Sequence, residues 1–305
     1  MAQNAGQQGL IFDFERFSTK DGPGIRTAVF FKGCNLHCAW CHNPEGIRSK
    51  IELAFQEEKC VGCGMCFAIC RQHAHQMAPA RHRLQRDLCK ECLECTQHCF
   101  SDALRKVGQY YSVEQALKIL LQDAPYYAAS GGGVTLTGGE VMLQKDFAAK
   151  LLSALHAQGI HTAMETNLCV PWEEYGAVLD SVDLFMVDCK TMRKETFQRY
   201  IGEGFERVCE NLTRIFHIGK PLIVRTPVIP TVNADEIGAI ARLLRSAPNL
   251  LYYELLSYHR LGNRKARMVG RKAIDFPIPT QSTMRQLGDV ARIEGISVCV
   301  DGKTL

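Results

Sequence analysis

The sequence predicts an α/β protein, an open and partial (β/α)6 barrel that is interrupted near its start by a cysteine-rich insertion. Two observations lead to this fold class. From Tyr111 onward, apolar segments with the spacing of strands alternate with segments that have the spacing of helices. Before that point, eleven of the fifteen cysteines fall within the first hundred residues, in three closely spaced groups. The alternation predicts a parallel sheet with helices on it, and the cysteine groups predict metal or cluster sites.

The first segments of the chain lead directly to the first cysteine group. Residues 10–17 have the composition of a strand, and the Asp-Gly-Pro-Gly sequence of residues 21–24 predicts a turn after it. Residues 26–32, RTAVFFK, predict a buried strand that ends just before Cys34. Active sites of parallel α/β barrels lie at the carboxyl ends of the strands. The first cysteine group is therefore placed where such a site is expected.

Strands and helices alternate through the second half of the chain. The predicted strands are residues 131–140, 161–166, 183–190, 221–227 and 250–256, with a possible closing strand at 296–300. The predicted helices are residues 113–121, 147–158, 172–179, 205–217, 234–244 and 282–292. With the strand before the cysteine loop, this makes six β/α units, which are too few for a closed eight-fold barrel. The barrel is therefore predicted to comprise residues 1–50 and 108–305.

Cys34, Cys38 and Cys41 form a C-x3-C-x2-C group within residues 33–45, GCNLHCAWCHNPE. Thiolates this close together in one loop can hold a single metal or cluster. Iron–sulfur cubanes normally take four cysteines, and no fourth follows here. One iron would then keep an open position, as a catalytic zinc does. The loop alone also leaves open a zinc knuckle and a redox dithiol.

The other two cysteine groups lie in residues 51–107, which are predicted to form the insertion. Each group has the spacing C-x2-C-x2-C-x3-C, as in two-cluster bacterial ferredoxins, where the fourth cysteine of each run binds the other cluster. The first [4Fe–4S] cluster is assigned to Cys60, Cys63, Cys66 and Cys99. The second is assigned to Cys89, Cys92, Cys95 and Cys70. Arg71 and Phe100 stand where a proline is usual, and a pair of zinc sites is the alternative. No long Gly/Ser-rich or Pro-rich linker appears, so the insertion is predicted to pack on the barrel.

Composition excludes several classes of function. A net charge of +4, with 46% hydrophobic and 22% charged residues, is typical of a soluble globular protein and does not indicate nucleic acid as a partner. No apolar run reaches the roughly 18 residues of a membrane span, and residues 1–10 lack the features of a signal peptide. A cytoplasmic protein with no membrane partner is predicted. In that compartment, cysteines indicate metal ligation rather than disulfides. The four outside the groups are predicted to be buried small residues: Cys169, Cys189, Cys209 and Cys299.

Residues 21–45, DGPGIRTAVFFKGCNLHCAWCHNPE, carry a resemblance to a known family. The cysteine loop, with an aromatic residue before its third cysteine, resembles the radical S-adenosylmethionine (SAM) signature. The whole 25-residue string resembles the activating enzymes of glycyl-radical enzymes. The resemblance implies a partial radical SAM barrel and a third [4Fe–4S] cluster, held by Cys34, Cys38 and Cys41. It also implies that the amino and carboxylate groups of SAM bind the open iron of that cluster.

The resemblance also implies which residues form the SAM site. The residues with a catalytic role are Cys34, Cys38, Cys41, Asp188 and Lys190. The implied cofactor-binding residues are Trp40, Cys41, His42, Gly138, Gly139, Glu140, Thr166, Asp188, Cys189, Lys190, Arg225 and His259. The GGE motif would contact the methionine moiety of SAM, and the segment around the third cysteine would contact adenine. In the D-L-K motif of the family, Cys189 replaces the leucine, and strand alternation turns it toward the core.

These positions also have structural interpretations that the sequence leaves open. The two glycines would equally suit a tight strand-to-helix turn. Trp40 and His42 could serve in packing, and a lone histidine such as His259 is more often a core or surface group than a ligand. Asp188 and Lys190 could simply be exposed to solvent at the barrel mouth.

A monovalent cation near the SAM carboxylate is a further implication of the resemblance. In the family, a D-T-N segment and a methionine and an aspartate of the next strand help to bind it. Here the matching residues are Glu165, Thr166 and Asn167, with Met186 and Asp188. Glu165 replaces the usual aspartate, so the sequence leaves the presence of the cation open.

The implied reaction is reductive cleavage of SAM, followed by abstraction of hydrogen from a backbone glycine of a partner glycyl-radical enzyme. The implied electron donor is a flavodoxin or a ferredoxin, and a monomer is expected. The inserted clusters would relay electrons or serve a structural role. The alternatives are a radical SAM enzyme that acts on a small molecule and a ferredoxin-type electron-transfer protein. No residue identifies which glycyl-radical enzyme is the partner.

Overall fold

The predicted strands form in the computed structural model, which describes residues 8–78 and 81–305. The strands are β1 (Gln8–Ser18), β2 (Arg26–Phe31), β3 (Glu52–Phe55), β4 (His75–Ala78), β5 (Arg81–Leu84), β6 (Leu104–Val107), β7 (Gln109–Ser112), β8 (Gly133–Gly138), β9 (His161–Thr166), β10 (Leu184–Asp188), β11 (Leu222–Val228), β12 (Leu250–Ser257), β13 (Val298–Val300) and β14 (Lys303–Thr304). The helices are α1 (Met65–Ile69), α2 (Glu94–Gln97), α3 (Val113–Leu120), α4 (Ala124–Ser130), α5 (Lys145–His156), α6 (Lys194–Tyr200), α7 (Phe205–Ile215), α8 (Ile237–Leu244), α9 (Leu261–Met268) and α10 (Gln281–Arg292). Within these residues, no helix has the length and apolar character needed to span a membrane.

One mixed sheet contains ten of the strands, in the order β14-β13-β12-β11-β10-β9-β8-β2-β1-β7. The run from β2 through β8 to β13 is parallel throughout. β1, β7 and β14 pair antiparallel with their neighbours. The order has two free ends, so the sheet is open. The predicted α/β fold is confirmed, but the sheet is mixed rather than wholly parallel, and the proposed closing strand is β13.

The pattern of β10 shows why this sheet needs cover on both faces. Phe185 and Val187 belong to the large core between the sheet and its helices. Leu184 and Met186, which alternate with them, join a smaller cluster with Ile223 on the opposite face. A strand that is apolar on both faces is typical of a parallel sheet, because neither face meets water.

One predicted helix is wrong in type. Residues 172–179 form 3-10 turns at Trp172–Ala177 and Leu179–Ser181 rather than an α-helix. Gly176 lies inside this segment, and glycine is a poor helix former. The sequence prediction also omitted five short helices: α1, α2, α4, α6 and α9. Each has at most eight residues, which is too short for a clear helical period.

Residues 52–107 leave and re-enter the barrel through an antiparallel ribbon. Glu52 of β3 pairs with Val107 of β6, and Phe55 pairs with Leu104. Between these strands lie the hairpin β4–β5 and the short helices α1 and α2. The ribbon brings the two ends of the cysteine-rich segment together, so the segment can be inserted without disturbing the sheet.

The backbone of this segment repeats itself. Positive φ angles occur at Gly62 and Gly64 in the first run, and at Glu91 and Leu93 in the second. Each pair lies two and four residues after the first cysteine of its run. Such angles are rare for residues other than glycine. The equivalent loops therefore share one conformation, although only the first has the glycines that favour it.

Candidate active site

A cleft of about 590 Å³ opens at the carboxyl ends of the parallel strands. The predicted site residues that line it are Cys34, Cys38, Trp40, Cys41, His42, Gly138, Gly139, Thr166, Asp188, Lys190, Arg225 and His259. They come from the cysteine loop, from the ends of β8, β9 and β10 and from the middle of β11, with His259 just beyond β12. The parallel order of the strands thus assembles residues that are more than two hundred positions apart in the sequence. Glu140 and Cys189 do not line the cleft.

Backbone hydrogen bonds fix the cysteine loop at both ends. The Gly33 amide donates to the Gly46 carbonyl at 2.7 Å, and the His37 amide donates to the Ile201 carbonyl at 2.7 Å. All three thiols are free of disulfides. Burial raises the pKa of Cys34 to about 12, and it also raises the pKa of Cys38 and Cys41. Thiols in such a site become thiolates when a metal supplies the compensating charge, which fits ligands of an iron–sulfur cluster.

The two glycines of the GGE motif are required by close packing. A Cβ atom on Gly138 would lie 2.5 Å from the Phe31 amide nitrogen, and one on Gly139 would lie 2.1 Å from the Gly33 carbonyl oxygen. Gly138 also has a φ of +107°, which favours glycine. The end of β8 therefore packs directly against the start of the cysteine loop. This explains both glycines structurally, while their backbone still faces the cleft.

Glu140 supports the wall of the cleft from behind. Its carboxylate accepts hydrogen bonds from the Met142 amide at 3.1 Å, the Thr166 hydroxyl at 2.9 Å and the Asn167 amide at 2.8 Å. The side chain is fully buried, and burial raises its pKa. Asn167 in turn donates from Nδ2 to Asn35 Oδ1 at 3.0 Å. Glu140 thus ties the ends of β8 and β9 to the cysteine loop, and it acts on a ligand only through these neighbours.

Asp188 and Lys190 form an ion pair at the cleft wall, with 2.6 Å between Lys190 Nζ and Asp188 Oδ2. Burial opposes the charge of Lys190, but Asp188 and Cys38 outweigh it and raise its pKa. Cys189 is buried on the other side, where its Sγ lies 3.7 Å from Met192 Sδ. The alternation that the sequence predicts for this motif is therefore present.

Aromatic residues border the other side of the cysteine loop. The rings of His42 and His259 meet edge to face, with 4.3 Å between their centroids. Burial, followed by the nearby His259, lowers the pKa of His42 to about 4. Trp40 packs against Phe276 and Tyr200. His42 therefore presents an uncharged ring surface to the cleft near neutral pH.

Arg26, in the DGPGIR segment, has a structural role that the sequence did not reveal. It is fully buried, and its guanidinium donates to Thr135 Oγ1 at 2.7 Å, to the Val134 carbonyl at 2.8 Å and to the Pro23 carbonyl at 3.2 Å. Burial lowers its pKa to about 10. Arg26 thereby attaches the turn before β2 to the neighbouring strand β8. The sequence feature that could have indicated this role is an arginine at the start of an apolar strand.

The cysteines assigned to the first inserted cluster lie together. Cys60, Cys63, Cys66 and Cys99 line one small cavity. Burial and the other three cysteines raise the pKa of Cys66 to about 11. His82 also lines the cavity, with Nδ1 3.5 Å from Cys60 Sγ and Nε2 3.7 Å from Cys66 Sγ. The sequence prediction did not include this histidine.

Cysteines of the second set also lie near one another. The neighbours that raise the pKa of Cys95 to about 12, after burial, are Cys89, Cys66, Cys92 and Cys70. Cys66 and Cys70 both come from the first run, so the two runs lie next to each other. The assignment of Cys70 to the second cluster stays a prediction from the ferredoxin spacing.

Comparison with known proteins identifies the family. The sequence profile of the radical SAM superfamily matches residues 28–244. The isethionate sulfite-lyase activating enzyme of Desulfovibrio desulfuricans is 39% identical over 87% of this chain and 88% of its own length. The benzylsuccinate synthase activating enzyme of Thauera aromatica is 38% identical over 96% of this chain and 95% of its own length.

A solved structure agrees with this assignment at the level of the fold. Streptococcus suis SuiB, bound to the precursor peptide SuiA, superposes with a TM-score of 0.51 over 88% of this chain and 46% of that chain. Its identity of 11% makes this a likeness of fold alone. The chain belongs to the radical SAM superfamily and, within it, to the activating enzymes of glycyl-radical enzymes.

Proposed function

We propose that the cleft binds SAM beside a [4Fe–4S] cluster held by Cys34, Cys38 and Cys41, and that the chain thereby activates a glycyl-radical enzyme. The observation that carries this proposal is the set of three free thiols in one cleft, with no fourth cysteine among its described lining residues. When bound, the cluster supplies the electron that cleaves SAM to methionine and a 5′-deoxyadenosyl radical, which takes hydrogen from a glycine of the partner.

The charged pair at the wall matches the amino-acid part of SAM. Asp188 and Lys190 present a carboxylate and an ammonium group whose charged atoms lie 2.6 Å apart. An α-amino acid carries the complementary ammonium and carboxylate groups on one carbon atom. Lys190 would bind the SAM carboxylate and Asp188 its amino group, which fixes the orientation of the sulfonium. The backbone of Gly138 and Gly139 would lie along the methionine moiety, next to Thr166.

The adenine would lie against the aromatic side of the cleft. His42 and His259 offer ring surfaces there, and Trp40 lies beside them in the cysteine loop. The lowered pKa of His42 keeps its imidazole neutral, so adenine would pack against an uncharged aromatic ring. Arg225 lies at the opposite wall among carboxylates.

Residues 51–107 would form a separate domain with two further [4Fe–4S] clusters, while residues 1–50 and 108–305 form the barrel. The arrangement of the eight inserted cysteines in two sets supports this division. These clusters would relay electrons from a flavodoxin or a ferredoxin to the cluster in the cleft. A monomer would suffice for this chemistry, because all eleven ligand cysteines lie in one chain.

The partner belongs to the class of glycyl-radical enzymes. The relatives named above activate two different enzymes, a sulfite-lyase and a synthase, so family membership does not select one partner. A small-molecule radical SAM enzyme and a ferredoxin-type electron-transfer protein are the other candidates. The activating-enzyme relatives favour the main interpretation over both.

The proposal is tested by SAM cleavage in the anaerobically reconstituted protein. Addition of SAM to the reduced protein should change the electron paramagnetic resonance (EPR) spectrum of one cluster and yield 5′-deoxyadenosine and methionine in equal amounts. With the correct partner enzyme, the doublet of a glycyl radical should appear, with one deoxyadenosine formed per radical. An EPR spectrum that does not change when SAM is added, together with the absence of 5′-deoxyadenosine, would contradict the proposal.

A cysteine variant outside the three groups controls for general effects of cysteine loss. Cys209→Ala suits this purpose, since Cys209 lies on α7 and does not line the cleft. It should retain full iron content and the same yield of deoxyadenosine. A partner variant with alanine at the radical glycine should give no doublet, which identifies the site of hydrogen abstraction.

A further inference from the structure

Arg225 lies at the carboxyl end of the sheet between two carboxylates. Its Nη1 is 3.1 Å from Glu165 Oε1, and its Nε is 3.0 Å from Glu254 Oε2. Its Nη2 donates to the Lys20 carbonyl, and the second Glu165 oxygen accepts from the Thr137 hydroxyl. The Arg225 side chain is only 5% exposed, so the structure allows it little freedom to leave these partners.

Most of the side-chain oxygen atoms that a family-type cation would use are already engaged. Among the matching residues, side-chain oxygens come from Glu165, Thr166, Asn167 and Asp188, and Asn167 Oδ1 accepts from the Cys169 amide at 2.8 Å. The Thr166 hydroxyl donates to Glu140 Oε1 at 2.9 Å and lies 2.9 Å from the Tyr175 hydroxyl. Thr166 thus offers little to a cation, which would have to break a buried hydrogen bond to use its side chain.

The two carboxylates among these residues each form an ion pair with a basic side chain of the protein. Glu165 is paired with Arg225, and Asp188 is paired with Lys190 at 2.6 Å. An alkali cation bound to either carboxylate would be placed close to a guanidinium or an ammonium group of the same charge. The residues present therefore do not fit a monovalent cation. The longer side chain of Glu165, compared with the usual aspartate, accounts for its reach to the guanidinium.

We propose that the guanidinium of Arg225 replaces the monovalent cation in this enzyme, so that SAM binding does not depend on sodium or potassium. Arg225 acts as a positioning residue: it compensates Glu165 and Glu254 and holds the end of β9 in place. This inference rests on the proposed SAM site, because it concerns how that site is neutralised.

The test measures the dissociation constant of SAM for the reconstituted holoenzyme, by equilibrium dialysis in tetramethylammonium, sodium and potassium chloride at equal ionic strength. We expect the constant to change by less than about twofold, since a coupled cation changes affinity by about fivefold or more. Tightening by fivefold or more in potassium would overturn the inference. Absence of SAM binding in every salt would instead overturn the proposed SAM site.

Arg225→Gln provides the reciprocal test, because it removes the positive charge and leaves Glu165 and Glu254 in place. Its SAM affinity should be weaker than that of the wild type, and potassium should restore it by about fivefold or more. In Glu165→Gln/Arg225→Gln, which lacks both charges, potassium should have no effect. Arg242→Gln controls for general salt effects, because Arg242 is an exposed arginine that pairs with Glu294 and does not line the cleft. If potassium leaves Arg225→Gln unchanged while the variant retains its iron, Arg225 does not stand in for a cation. Iron content and circular dichroism show whether each variant is folded. The SAM titration of the wild-type holoenzyme decides, without any variant, whether SAM binding depends on sodium or potassium.

Discussion

The two cysteine regions of this molecule are held in shape by different parts of the chain. The barrel loop is fixed from outside: Gly33 and His37 donate to carbonyls of Gly46 and Ile201, both at 2.7 Å. The insertion has a small core of its own, in which Leu53, Leu104 and Cys95 are buried. Several further cysteines are partly buried against this core. Cysteines thus make up much of the interior of the insertion.

From this difference we expect the fold alone to shape the barrel loop, and bound clusters to complete the folding of the insertion. Hydrophobic burial stabilises the barrel loop through the large core beneath it, where Phe31 and Leu136 are fully buried. Few apolar side chains are buried in the core of the insertion, so metal binding should contribute much of its folding free energy. We therefore expect the loss of clusters to affect function in one region and folding in the other.

The largest expected effect is on catalysis. Replacing Cys34, Cys38 and Cys41 together by alanine should abolish deoxyadenosine formation and lower the iron content from about 12 to about 8 per chain. The barrel should keep its thermal unfolding temperature, because backbone hydrogen bonds rather than the cluster hold this loop. Iron analysis, a product assay and circular dichroism measure the three quantities.

Cys60→Ala with Cys89→Ala is the matched change in the other region. It should lower the iron content of the inserted sets but leave SAM binding intact, since the proposed SAM site lies outside residues 51–107. Activity with a chemical reductant but not with a protein donor would support electron relay. If the barrel variant unfolds as readily as the insertion variant, the proposed difference between the regions is wrong.

Removal of iron should unfold the insertion selectively. After a chelator has removed the iron under reducing conditions, a protease should cleave the protein between residues 57 and 103. The remaining sheet and helices should stay protected. The physical reason is the small apolar core of the insertion, compared with the extensive core of the barrel. Limited proteolysis with mass spectrometry checks this. Equal protection of both regions after iron removal would contradict it.

An intermediate effect is expected at the junction of the two regions. Lys32 follows β2 and is fully buried, with Nζ 2.8 Å from Glu52 Oε2 at the start of β3. Lys32→Met should lower the free energy of unfolding by about 3–5 kcal/mol, because it leaves a buried carboxylate without its main partner. Chemical denaturation measures this change.

Lys145→Met is the matched control for the junction. Lys145 pairs with Glu174 at 3.2 Å, and both side chains are more than a third exposed. Its loss should cost about 0–1 kcal/mol, since water screens such a pair. Similar losses for the two variants would show that Lys32 does not hold the junction.

The sequence predicts the parts of the molecule that depend on spacing. The strand order follows from the βα alternation, and the close approach of Cys99 to the first cysteine run follows from ferredoxin spacing. It does not predict contacts that tertiary packing creates. Examples are the support of the cleft wall by Glu140, the buried Arg26 and the position of His82 beside Cys60. These depend on atoms that lie far apart in the chain.

The smallest expected effect distinguishes the two halves of the insertion from each other. Gly64 has a φ of +75°, and a Cβ atom there would meet nothing within 4 Å, so Gly64→Ala adds backbone strain without a clash. It should lower the free energy of unfolding by about 1 kcal/mol.

At the equivalent position, Leu93 already has this strained backbone conformation, with a φ of +65°. Leu93→Gly removes that strain but also loses packing against the insertion core, so its net effect should be smaller than that of Gly64→Ala. Thermal loss of the cluster absorbance in the reconstituted protein compares the two variants. If Leu93→Gly destabilises more than Gly64→Ala, side-chain packing rather than backbone conformation determines the shape of the second loop.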